Sequence, residues 1–409
     1  MHSKNAINEF AVFGSPPAFG QPLHVGRPNL GDRARLVERL NDILDRRWLT
    51  NDGPYVREFE QRIAELTGAK HAIAVSNGTT GLEIAFRAAG LAGEIIVPSF
   101  TFVATVHALH WLGIKPIFCD IDPATHCLDP DRIEALITPR TTGILGVHVW
   151  GRPCEIERLQ AIADRHGLKL LFDAAHALGC SYRGRKVGQF GLAEIFSFHA
   201  TKFLNSFEGG AIVTNDDALA DKLRLMRNFG FSGYDRIDDA GINGKMHEFS
   251  AAAGLTNLES VAEFIADNRR NYESYRDELR SIPGLSLLEY DERERCNYQY
   301  VVVEVDEAAC QVGRDFLAEV LWAENVLARR YFYPGCHRVE PYRSLYPDAS
   351  DRLPATESVA ERVLLLPTGS TIEAAEIRAI CEILRTAVRQ GPELTRRLKA
   401  QPLRFVNVV

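Results

Sequence analysis

The sequence predicts an α/β fold, with a large domain built on a mostly parallel seven-stranded sheet and a smaller C-terminal α+β domain. Short apolar runs alternate with helix-length segments between residues 70 and 215. Such alternation is typical of crossover units, which place parallel strands side by side and cover the sheet with helices. After Thr214 this alternation stops, which indicates a second structural unit.

The seven predicted strands are short apolar runs bounded by Gly, Pro, Asn or Asp. Such runs are typical of strands buried on both faces of a sheet. In order, they are His71–Val75, Glu94–Val97, Pro116–Cys119, Thr142–Val149, Leu168–Phe172, Ile195–Phe198 and Ala211–Thr214. Helices are predicted between them, for example at Gly81–Ala89 and Ile156–Arg165.

The C-terminal part of the chain has a different pattern. We predict a helix at Leu219–Arg227, an irregular stretch at Phe229–Lys245, a long or broken helix at Phe249–Arg280, a strand at Tyr298–Val305, and helices at Arg314–Asn325 and Ala375–Gln390. We therefore expect an N-terminal extension at 1–26, a large domain at 27–265 and a small C-terminal domain at 266–409.

The charge and the cysteine content of the chain narrow the partners and the cellular compartment that we expect. The 409 residues carry a formal net charge of −7, so we expect neither nucleic acid nor an anionic membrane as a partner. Eight cysteines are scattered without a C-x-x-C pair, which favours reduced thiols over a disulfide framework or a zinc site. We find no signal peptide and no stretch near ~18 consecutive apolar residues. We expect a soluble, cytoplasmic protein that holds no metal.

Lys202 is the most informative residue in the sequence. It ends the segment Phe196–Lys202 (FSFHATK), which follows Phe172–His176 (FDAAH). A lysine, an aspartate and a serine after predicted strands suit a pyridoxal phosphate (PLP) enzyme, because Lys202 can form the Schiff base, Asp173 can keep the pyridine nitrogen protonated and Ser197 can hold the phosphate. A lone lysine is usually a solvated charge. The strand before Lys202 and the small-residue loop after it favour the Schiff-base interpretation.

Asp173 and His176 each allow two interpretations. Asp173 ends an apolar run at the expected carboxyl end of a parallel strand, where open α/β sheets bind their ligands. It could instead cap a helix. His176 could donate a hydrogen bond to the 3-oxygen of the cofactor ring, or it could be a packed core histidine.

Two further segments supply candidate cofactor contacts. Ser76–Thr80 (SNGTT) follows a predicted strand and opens a helix, so its backbone N–H groups could bind a phosphate, although the same residues make an ordinary helix cap. In Pro98–Phe102 (PSFTF), Phe102 could stack on the pyridine ring or simply pack in the core.

The chain resembles the sugar aminotransferase family named for the DegT, DnrJ, EryC and StrS proteins, which has the PLP-dependent aspartate-aminotransferase fold (fold type I). Matching motifs run from Trp48–Pro54 (WLTNDGP) to Leu366–Gly369 (LPTG) and include SNGT, PSFTF, DAAHALG, FSFHATK and EGG in that order. The resemblance implies that the large domain binds PLP, which alternates with its amine form, pyridoxamine phosphate (PMP).

The resemblance assigns eight residues to the cofactor. They are Lys202 as the catalytic Schiff-base lysine, Asp173 at the pyridine nitrogen, His176 near the 3-oxygen, Phe102 over the ring, Gly78, Thr79 and Ser197 on the phosphate, and Asn243 on the phosphate of the cofactor in the other subunit. The last assignment implies a homodimer with shared active sites. Lys245 stands where the family usually has arginine, so its role stays open.

Details of three segments resemble one branch of the family, the dTDP-4-keto-6-deoxyglucose 4-aminotransferases of antibiotic and surface-glycan biosynthesis. These segments are Gly146–Cys154 (GVHVWGRPC), His199–Gly210 (HATKFLNSFEGG) and Tyr331–His337 (YFYPGCH). The resemblance implies transfer of an amino group from L-glutamate to C4 of dTDP-4-keto-6-deoxyglucose, giving dTDP-4-amino-4,6-dideoxyglucose, a deoxyaminosugar.

Three alternative functions share features of this sequence. A sugar dehydratase of the same fold carries histidine in place of the Schiff-base lysine, and Lys202 argues against it. A 3-keto-sugar nucleotide aminotransferase stays open, although the branch motifs favour C4. A non-catalytic PLP-binding sensor is disfavoured by the intact Lys202, Asp173 and Ser197.

Contacts with the substrate are predicted in one aromatic and basic run. Arg329, Arg330, Tyr331 and Phe332 could supply charge for a diphosphate and a face for a nucleotide base, or they could form a solvated edge with one packed side. His337 and Lys245 are further candidates for substrate binding.

Overall fold

The N-terminal segment packs on the C-terminal part of the molecule. The structure, a computed structural model, describes residue 2 and residues 4–400. Ile7, Phe10 and Phe19 are buried in a core shared with residues beyond 275. The segment ends in a short strand, β1 (Leu23–His24). Residues 1–26, predicted as an extension, thus contribute side chains to the core of the small domain.

The large domain alternates strands with helices. In chain order its elements are α1 (Arg33–Arg46), α2 (Pro54–Thr67), β2 (His71–Val75), α3 (Gly78–Ala88), β3 (Glu94–Pro98), α4 (Val103–Trp111), β4 (Lys115–Cys119), β5 (Thr141–Val147), α5 (Ile156–His166), β6 (Lys169–Asp173), β7 (Ser181–Tyr182), β8 (Arg185–Lys186), β9 (Ala193–Ser197), β10 (Gly210–Thr214), α6 (Asp217–Arg227), β11 (Phe231–Gly233), β12 (Arg236–Ile237) and α7 (Glu248–Glu259).

A seven-stranded sheet in the order β2-β10-β9-β6-β5-β3-β4 forms the centre of this domain. Its neighbouring strands are parallel except where β10 pairs with β2 and β9. Successive side chains face opposite sides of the sheet, so Ile195 and Phe196 belong to cores on different faces. Burial of both faces explains why the strands are nearly continuous apolar runs. The predicted fold class is confirmed.

Most strand boundaries in this sheet lie within one residue of the prediction, and the end of β5 and the start of β9 differ by two residues. Strand β5 ends at Val147 because the chain turns at Trp150, whose φ of 62° lies in the left-handed region. Strand β9 begins at Ala193 and includes Glu194. That carboxylate is buried, and it accepts hydrogen bonds from the backbone N–H groups of Gly188 and Phe190 at 2.8 and 2.7 Å.

The small domain follows after a break in the predicted long helix. Its elements are α8 (Val261–Leu279), β13 (Leu285–Leu287), β14 (Val301–Val305), α9 (Glu307–Cys310), α10 (Arg314–Ala323), β15 (Val326–Leu327), α11 (Tyr342–Leu345), α12 (Pro354–Arg362), β16 (Val363–Leu366), α13 (Ala374–Arg389) and α14 (Gly391–Lys399). The antiparallel sheet β13-β14-β16 packs with α8, α10 and α13, and β15 pairs with β1 in parallel. The predicted boundary at 265 lies inside α8.

Several carboxyl ends of the large sheet meet at one edge, where open α/β sheets bind ligands. Asp173 ends β6, Ser197 ends β9, and Gly78 begins α3 just after β2. Within residues 2 and 4–400, no helix is both long enough and apolar enough to span a membrane.

Candidate active site

A cavity of about 650 Å³ lies at this edge, between the two domains. Its lining includes residues after five strands of the large sheet and residues of the small domain. They are Asn77–Thr80, Leu82, Thr101, Phe102, Ala104, Val147, His148, Asp173, Ala175, His176, Ile195–Ser197, His199, Thr201, Lys202, Glu208, Tyr300, Arg329, Tyr331 and Phe332.

Lys202 lies in the turn after β9, where its backbone N–H donates to the carbonyl of His199 at 2.8 Å. Burial lowers the pKa of its amine to about 8, although Asp173 and Tyr331 favour the charged form. About one tenth of the amine is therefore neutral at pH 7, and this share rises with pH. A neutral amine can act as a nucleophile and as a general base.

Asp173 is buried and held by two donors. The Thr105 hydroxyl donates to Oδ2 at 2.7 Å, and the backbone N–H of Ala175 donates to Oδ1 at 3.1 Å. Burial raises the pKa of Asp173, while these two hydrogen bonds and the charge of Lys202 oppose that rise. The carboxylate therefore combines a dry environment with stabilisation of its charged form.

The N-terminus of α3 opens into the cavity. Asn77 caps the helix, with its Oδ1 accepting from the backbone N–H of Thr80 at 2.8 Å. The first N–H groups of a helix have no partner within the helix, and the helix dipole adds positive potential there. A Cβ on Gly78 would lie 3.1 Å from the Cβ of Ser197, so glycine lets this turn approach β9. The arrangement suits a phosphate group.

The ring of His176 is buried in an aromatic cluster. It lies nearly parallel to the rings of Trp150 and Phe332. The backbone N–H of Trp150 donates to Nδ1 at 3.3 Å, so the proton of the neutral ring resides on Nε2. Burial lowers the pKa of His176 well below its usual range. Nε2 is 3.4 Å from the Tyr300 hydroxyl, which must therefore accept from the ring and can direct its own proton elsewhere.

The remaining cofactor candidates lie in two places. Phe102 precedes α4 and is 53% exposed at the cavity wall, as a ring-stacking residue requires. Asn243 is exposed and lies outside the lining of this cavity, and its backbone pairs with Asn228.

The structure separates the substrate candidates. Arg329, Tyr331 and Phe332 line the cavity. Arg330 does not: it pairs with Asp315 at 2.9 Å, and its guanidinium lies over the rings of Trp322 and Tyr333.

Two other substrate candidates also lie away from the cavity lining. Lys245 donates to Asn228 Oδ1 at 2.9 Å and lies over the Phe229 ring. His337 is 2% exposed, with its Nδ1 2.7 Å from Ser99 Oγ and its Nε2 2.7 Å from Glu357 Oε1. Since both ring nitrogens have protein partners, His337 has no free nitrogen for a ligand in this cavity.

Thr101, Thr105 and Tyr300 were not among the predicted site residues. Thr101 and Tyr300 line the cavity, and Thr105 contacts Asp173 from α4. Thr101 adjoins Phe102, and Thr105 follows one helical turn later, so helical spacing offered a signal. Nothing in the sequence near Tyr300 connects it to His176.

Comparison with known proteins identifies the family. Residues 31–385 match the model of the DegT/DnrJ/EryC1/StrS aminotransferase family. The chain belongs to this family. It is therefore an aminotransferase, as the motifs from Trp48 to Gly369 predicted, and the alternatives of a dehydratase and a non-catalytic sensor are not supported.

Individual relatives agree with this assignment. The aminotransferase is 36% identical over 363 residues to the dTDP-4-amino-4,6-dideoxy-D-glucose transaminase of Escherichia coli, covering 88% of this chain and 97% of the relative. It is 35% identical to the GDP-perosamine synthase of Caulobacter vibrioides, with the same coverage of 88% and 97%.

A solved structure supports the same fold. The crystal structure of DesI in the presence of its TDP-sugar product has a TM-score of 0.91 and 52% identity, covering 96% of this chain and all of the other. The predicted fold type I is thus confirmed for this aminotransferase. Among its described residues, no group of three or more His, Cys, Asp or Glu side chains is arranged to hold a metal ion.

Proposed function

We propose that this aminotransferase uses PLP to move an amino group from L-glutamate to C4 of dTDP-4-keto-6-deoxyglucose, giving dTDP-4-amino-4,6-dideoxyglucose. The central observation is that the Lys202 amine, with its pKa lowered to about 8, shares one cavity with the buried Asp173 and the N-terminus of α3. The E. coli relative and the DesI structure support the choice of a nucleotide-linked sugar as substrate.

The residues present fit PLP at three points. Gly78, Thr79 and Ser197 provide a neutral, donor-rich turn for the phosphate. Asp173 offers a buried acceptor whose negative charge stabilises a proton on the pyridine nitrogen. Lys202 offers an amine for the aldehyde. When bound, PLP supplies an electron sink that allows a bond at the substrate α-carbon to break.

Around that ring, Phe102 and His176 have separate tasks in this proposal. Phe102 would cover one face, and its partial exposure supports this role because it leaves room for a ligand. The Nε2–H of His176 is a donor with its tautomer fixed by the backbone of Trp150. In this proposal it turns from its long 3.4 Å contact with the Tyr300 hydroxyl to an oxygen acceptor such as the 3-oxygen of the ring. Neither side chain needs to change its charge.

Lys202 is also the proton carrier in this proposal. Its neutral amine would take a proton from the α-carbon of the donor and return it to C4′, the cofactor carbon bonded to the other side of the amino nitrogen. In the second half-reaction it would move the proton in the opposite direction. The lowered pKa matters because a fully protonated lysine could not accept the first proton.

Arg329 is the cation best placed for the substrates. No hydrogen bond or ion pair within residues 2 and 4–400 occupies its guanidinium, and the residue lines the cavity. Arginine binds carboxylates and phosphates in a bidentate way. We therefore assign Arg329 to the anionic groups of glutamate and of the nucleotide sugar, with Tyr331 and Phe332 as the adjoining aromatic wall.

We infer that the active enzyme is a homodimer in which Asn243 reaches the cofactor phosphate of the second copy. Asn243 lies on an exposed stretch that also carries the exposed apolar side chains Phe229, Ile237 and Ile242. Exposed apolar residues grouped in this way are typical of an interface.

The cysteines of the described chain are all free thiols, which supports a reducing compartment, the cytoplasm, as the site of the reaction.

The position of the new amine separates this proposal from a 3-keto-sugar aminotransferase. The name of the E. coli relative places the amino group of its sugar at C4, and that supports C4 here. Purified enzyme should convert dTDP-4-keto-6-deoxyglucose and L-glutamate to a product whose mass shows one amine in place of a carbonyl, and whose NMR spectrum places nitrogen at C4. Turnover of a 3-ketosugar nucleotide in preference to the 4-ketosugar would overturn the proposal.

A further inference from the structure

Two threonines lie between the cavity wall and Asp173. Thr101 is 2% exposed, Thr105 is fully buried, and their Oγ1 atoms are 2.8 Å apart. The Thr105 Oγ1 is in turn 2.7 Å from Asp173 Oδ2. The three groups form a continuous hydrogen-bonded chain, and its two threonines are not among the cofactor assignments above.

The direction of this chain follows from counting protons. A threonine hydroxyl has one proton to donate and can accept through its lone pairs. Thr105 gives its proton to the Asp173 carboxylate, which as an anion can only accept. Thr101 must therefore be the donor in the contact with Thr105. Each hydrogen bond polarises the next, so the bond from Thr101 to Thr105 strengthens the bond from Thr105 to Asp173.

Thr101 is itself held in place from the small domain. Its backbone N–H donates to the carbonyl of Ser99 at 3.0 Å, and its carbonyl accepts from the Cys336 thiol at 3.3 Å. The Ser99 hydroxyl accepts from the backbone N–H of His337 at 3.0 Å, and His337 is fixed by Glu357. The segment 335–338 thus fixes the loop that carries Thr101.

We propose that Thr101 and Thr105 form a directional hydroxyl relay, which fixes the orientation of the Asp173 carboxylate and keeps it ionised toward the pyridine nitrogen of the cofactor. Thr105 and Thr101 are positioning residues, since they act through Asp173. The proposal deepens the proposed function and rests on PLP as the cofactor.

The relay matters because burial works against the charge of Asp173. Burial raises the pKa of this carboxyl, and the hydrogen bond from Thr105 is the largest effect in the opposite direction, followed by the Ala175 N–H and the charges of Lys202 and His148. Of these, Lys202 is the group proposed to bond to the cofactor. Once Lys202 has bonded to the cofactor, its ammonium charge would no longer stabilise the Asp173 carboxylate. The hydrogen bond from Thr105 would still do so.

Three variants test the relay. Thr105→Val removes the inner hydroxyl with little change of shape, Thr105→Ser retains it, and Thr101→Val removes only the outer hydroxyl. Thr386→Val is the matched control, because Thr386 is a buried threonine of the small domain whose hydroxyl donates to the Lys4 carbonyl at 2.9 Å.

The first measurement needs no cofactor and no turnover. In the cofactor-free full chain, carboxyl ¹³C NMR of Asp173 should show a pKa raised by roughly one to two units in Thr105→Val, because the anion loses a hydrogen bond. Thr101→Val should show a smaller rise, and Thr105→Ser and Thr386→Val should match the parent protein. An unchanged pKa in Thr105→Val would overturn the relay, and so would an equal rise in Thr105→Ser.

The second measurement uses the holoenzyme. With PLP labelled at its ring nitrogen, ¹⁵N NMR should show a protonated nitrogen in the parent enzyme and in Thr105→Ser, and a smaller share of the proton on the nitrogen in Thr105→Val, because the more basic Asp173 carboxyl holds more of the shared proton. The dissociation constant of PLP should rise about 10- to 100-fold in Thr105→Val, the range expected for a lost hydrogen bond to a charged group.

The two measurements separate the possible failures. Parent enzyme that does not bind PLP would overturn the proposed function, whereas the Asp173 titration would still decide whether the threonines control the carboxyl. If Thr105→Val does not fold, Thr101→Val decides the matter: a raised Asp173 pKa supports the relay and an unchanged one overturns it.

Discussion

Two lysines of this chain, the buried Lys4 and the half-buried Lys202, have opposite surroundings. Lys4, in the N-terminal segment, donates to the carbonyls of Glu9 and Pro16 at 2.5 and 2.6 Å and pairs with Glu324 at 3.2 Å. Lys202, at the cavity, has no side-chain hydrogen bond within the part of the chain that the structure describes, and burial lowers its pKa to about 8. Each of the three ammonium protons of Lys4 has an acceptor, which stabilises the charged form. The ammonium of Lys202 has no acceptor among the described residues and therefore loses a proton more easily.

The contrast shows how one residue type acquires a structural or a chemical role. A buried charge is tolerated when each of its hydrogen-bonding groups has a partner. Lys4 meets that condition and joins the N-terminal segment to Glu324, which also accepts from the N–H groups of Ala11 and Ala18. Lys202 does not meet it, and the resulting instability of its charged form suits the roles of nucleophile and base that we propose for it.

Replacing Lys202 should have the largest effect on activity. Lys202→Ala should lower kcat by about 10⁴-fold or more, because both the nucleophile and the proton carrier are lost. The protein should stay folded, with an unchanged circular dichroism spectrum and midpoint of urea unfolding. Steady-state assay with glutamate and the 4-ketosugar nucleotide measures the loss, and turnover within tenfold of the parent enzyme would contradict the assignment.

Replacing Lys4 should have the opposite pattern. Lys4→Met should lower the free energy of unfolding by about 3 kcal/mol, because Glu324 stays buried without its counter-charge, while kcat per folded molecule stays the same. Urea unfolding measures the loss. Lys70→Met is the matched control, since the exposed Lys70–Asp217 pair should contribute less than about 1 kcal/mol. Equal stability of the two variants would remove the contrast between Lys4 and Lys202.

The neighbours Arg329 and Arg330 extend the comparison to arginine. Arg329→Met should raise KM for glutamate and for the nucleotide sugar by about 10- to 100-fold, as expected when an anionic group loses its charged partner. Arg330→Met should leave both KM values unchanged, because its guanidinium is engaged by Asp315, Trp322 and Tyr333. If Arg330→Met raises KM more than Arg329→Met, the assignment of the two arginines is reversed.

Removal of the Tyr300 hydroxyl should have the smallest effect. Tyr300→Phe should lower kcat/KM by about fivefold, corresponding to one neutral hydrogen bond, and leave the unfolding midpoint nearly unchanged. Tyr298→Phe, a buried tyrosine close in sequence but outside the cavity lining, should behave like the parent enzyme. A loss in Tyr298→Phe that matched the loss in Tyr300→Phe would show that packing in this segment, and not the hydroxyl, is responsible.

The sequence was sufficient to predict the parts of the site that depend on single strands. The apolar run ending at Asp173, and the strand followed by a turn at Lys202, lie at the same sheet edge because parallel strands share the direction of their carboxyl ends. The glycine and threonine at 78 and 79 followed from the same reasoning at the start of α3. The family motifs then supplied the chemistry.

The parts that depend on contacts across the fold could not be predicted. Thr105 and Asp173 are 68 positions apart in sequence, and Tyr300 meets His176 from the other domain. Which of Arg329 and Arg330 faces the cavity depends on the direction of an irregular segment with no periodic pattern. His337 was a candidate for substrate binding, yet its Nδ1 contacts Ser99 and its Nε2 contacts Glu357.

The most direct test of the central claim is to find where PLP attaches. Enzyme loaded with PLP over a range of pH, reduced with borohydride and digested, should yield one pyridoxyl-modified peptide in mass spectrometry, modified at Lys202. The initial rate of loading should rise with pH around a midpoint of about 8, because the neutral amine reacts and its pKa is lowered. Modification at another lysine, or no modified peptide, would contradict the account.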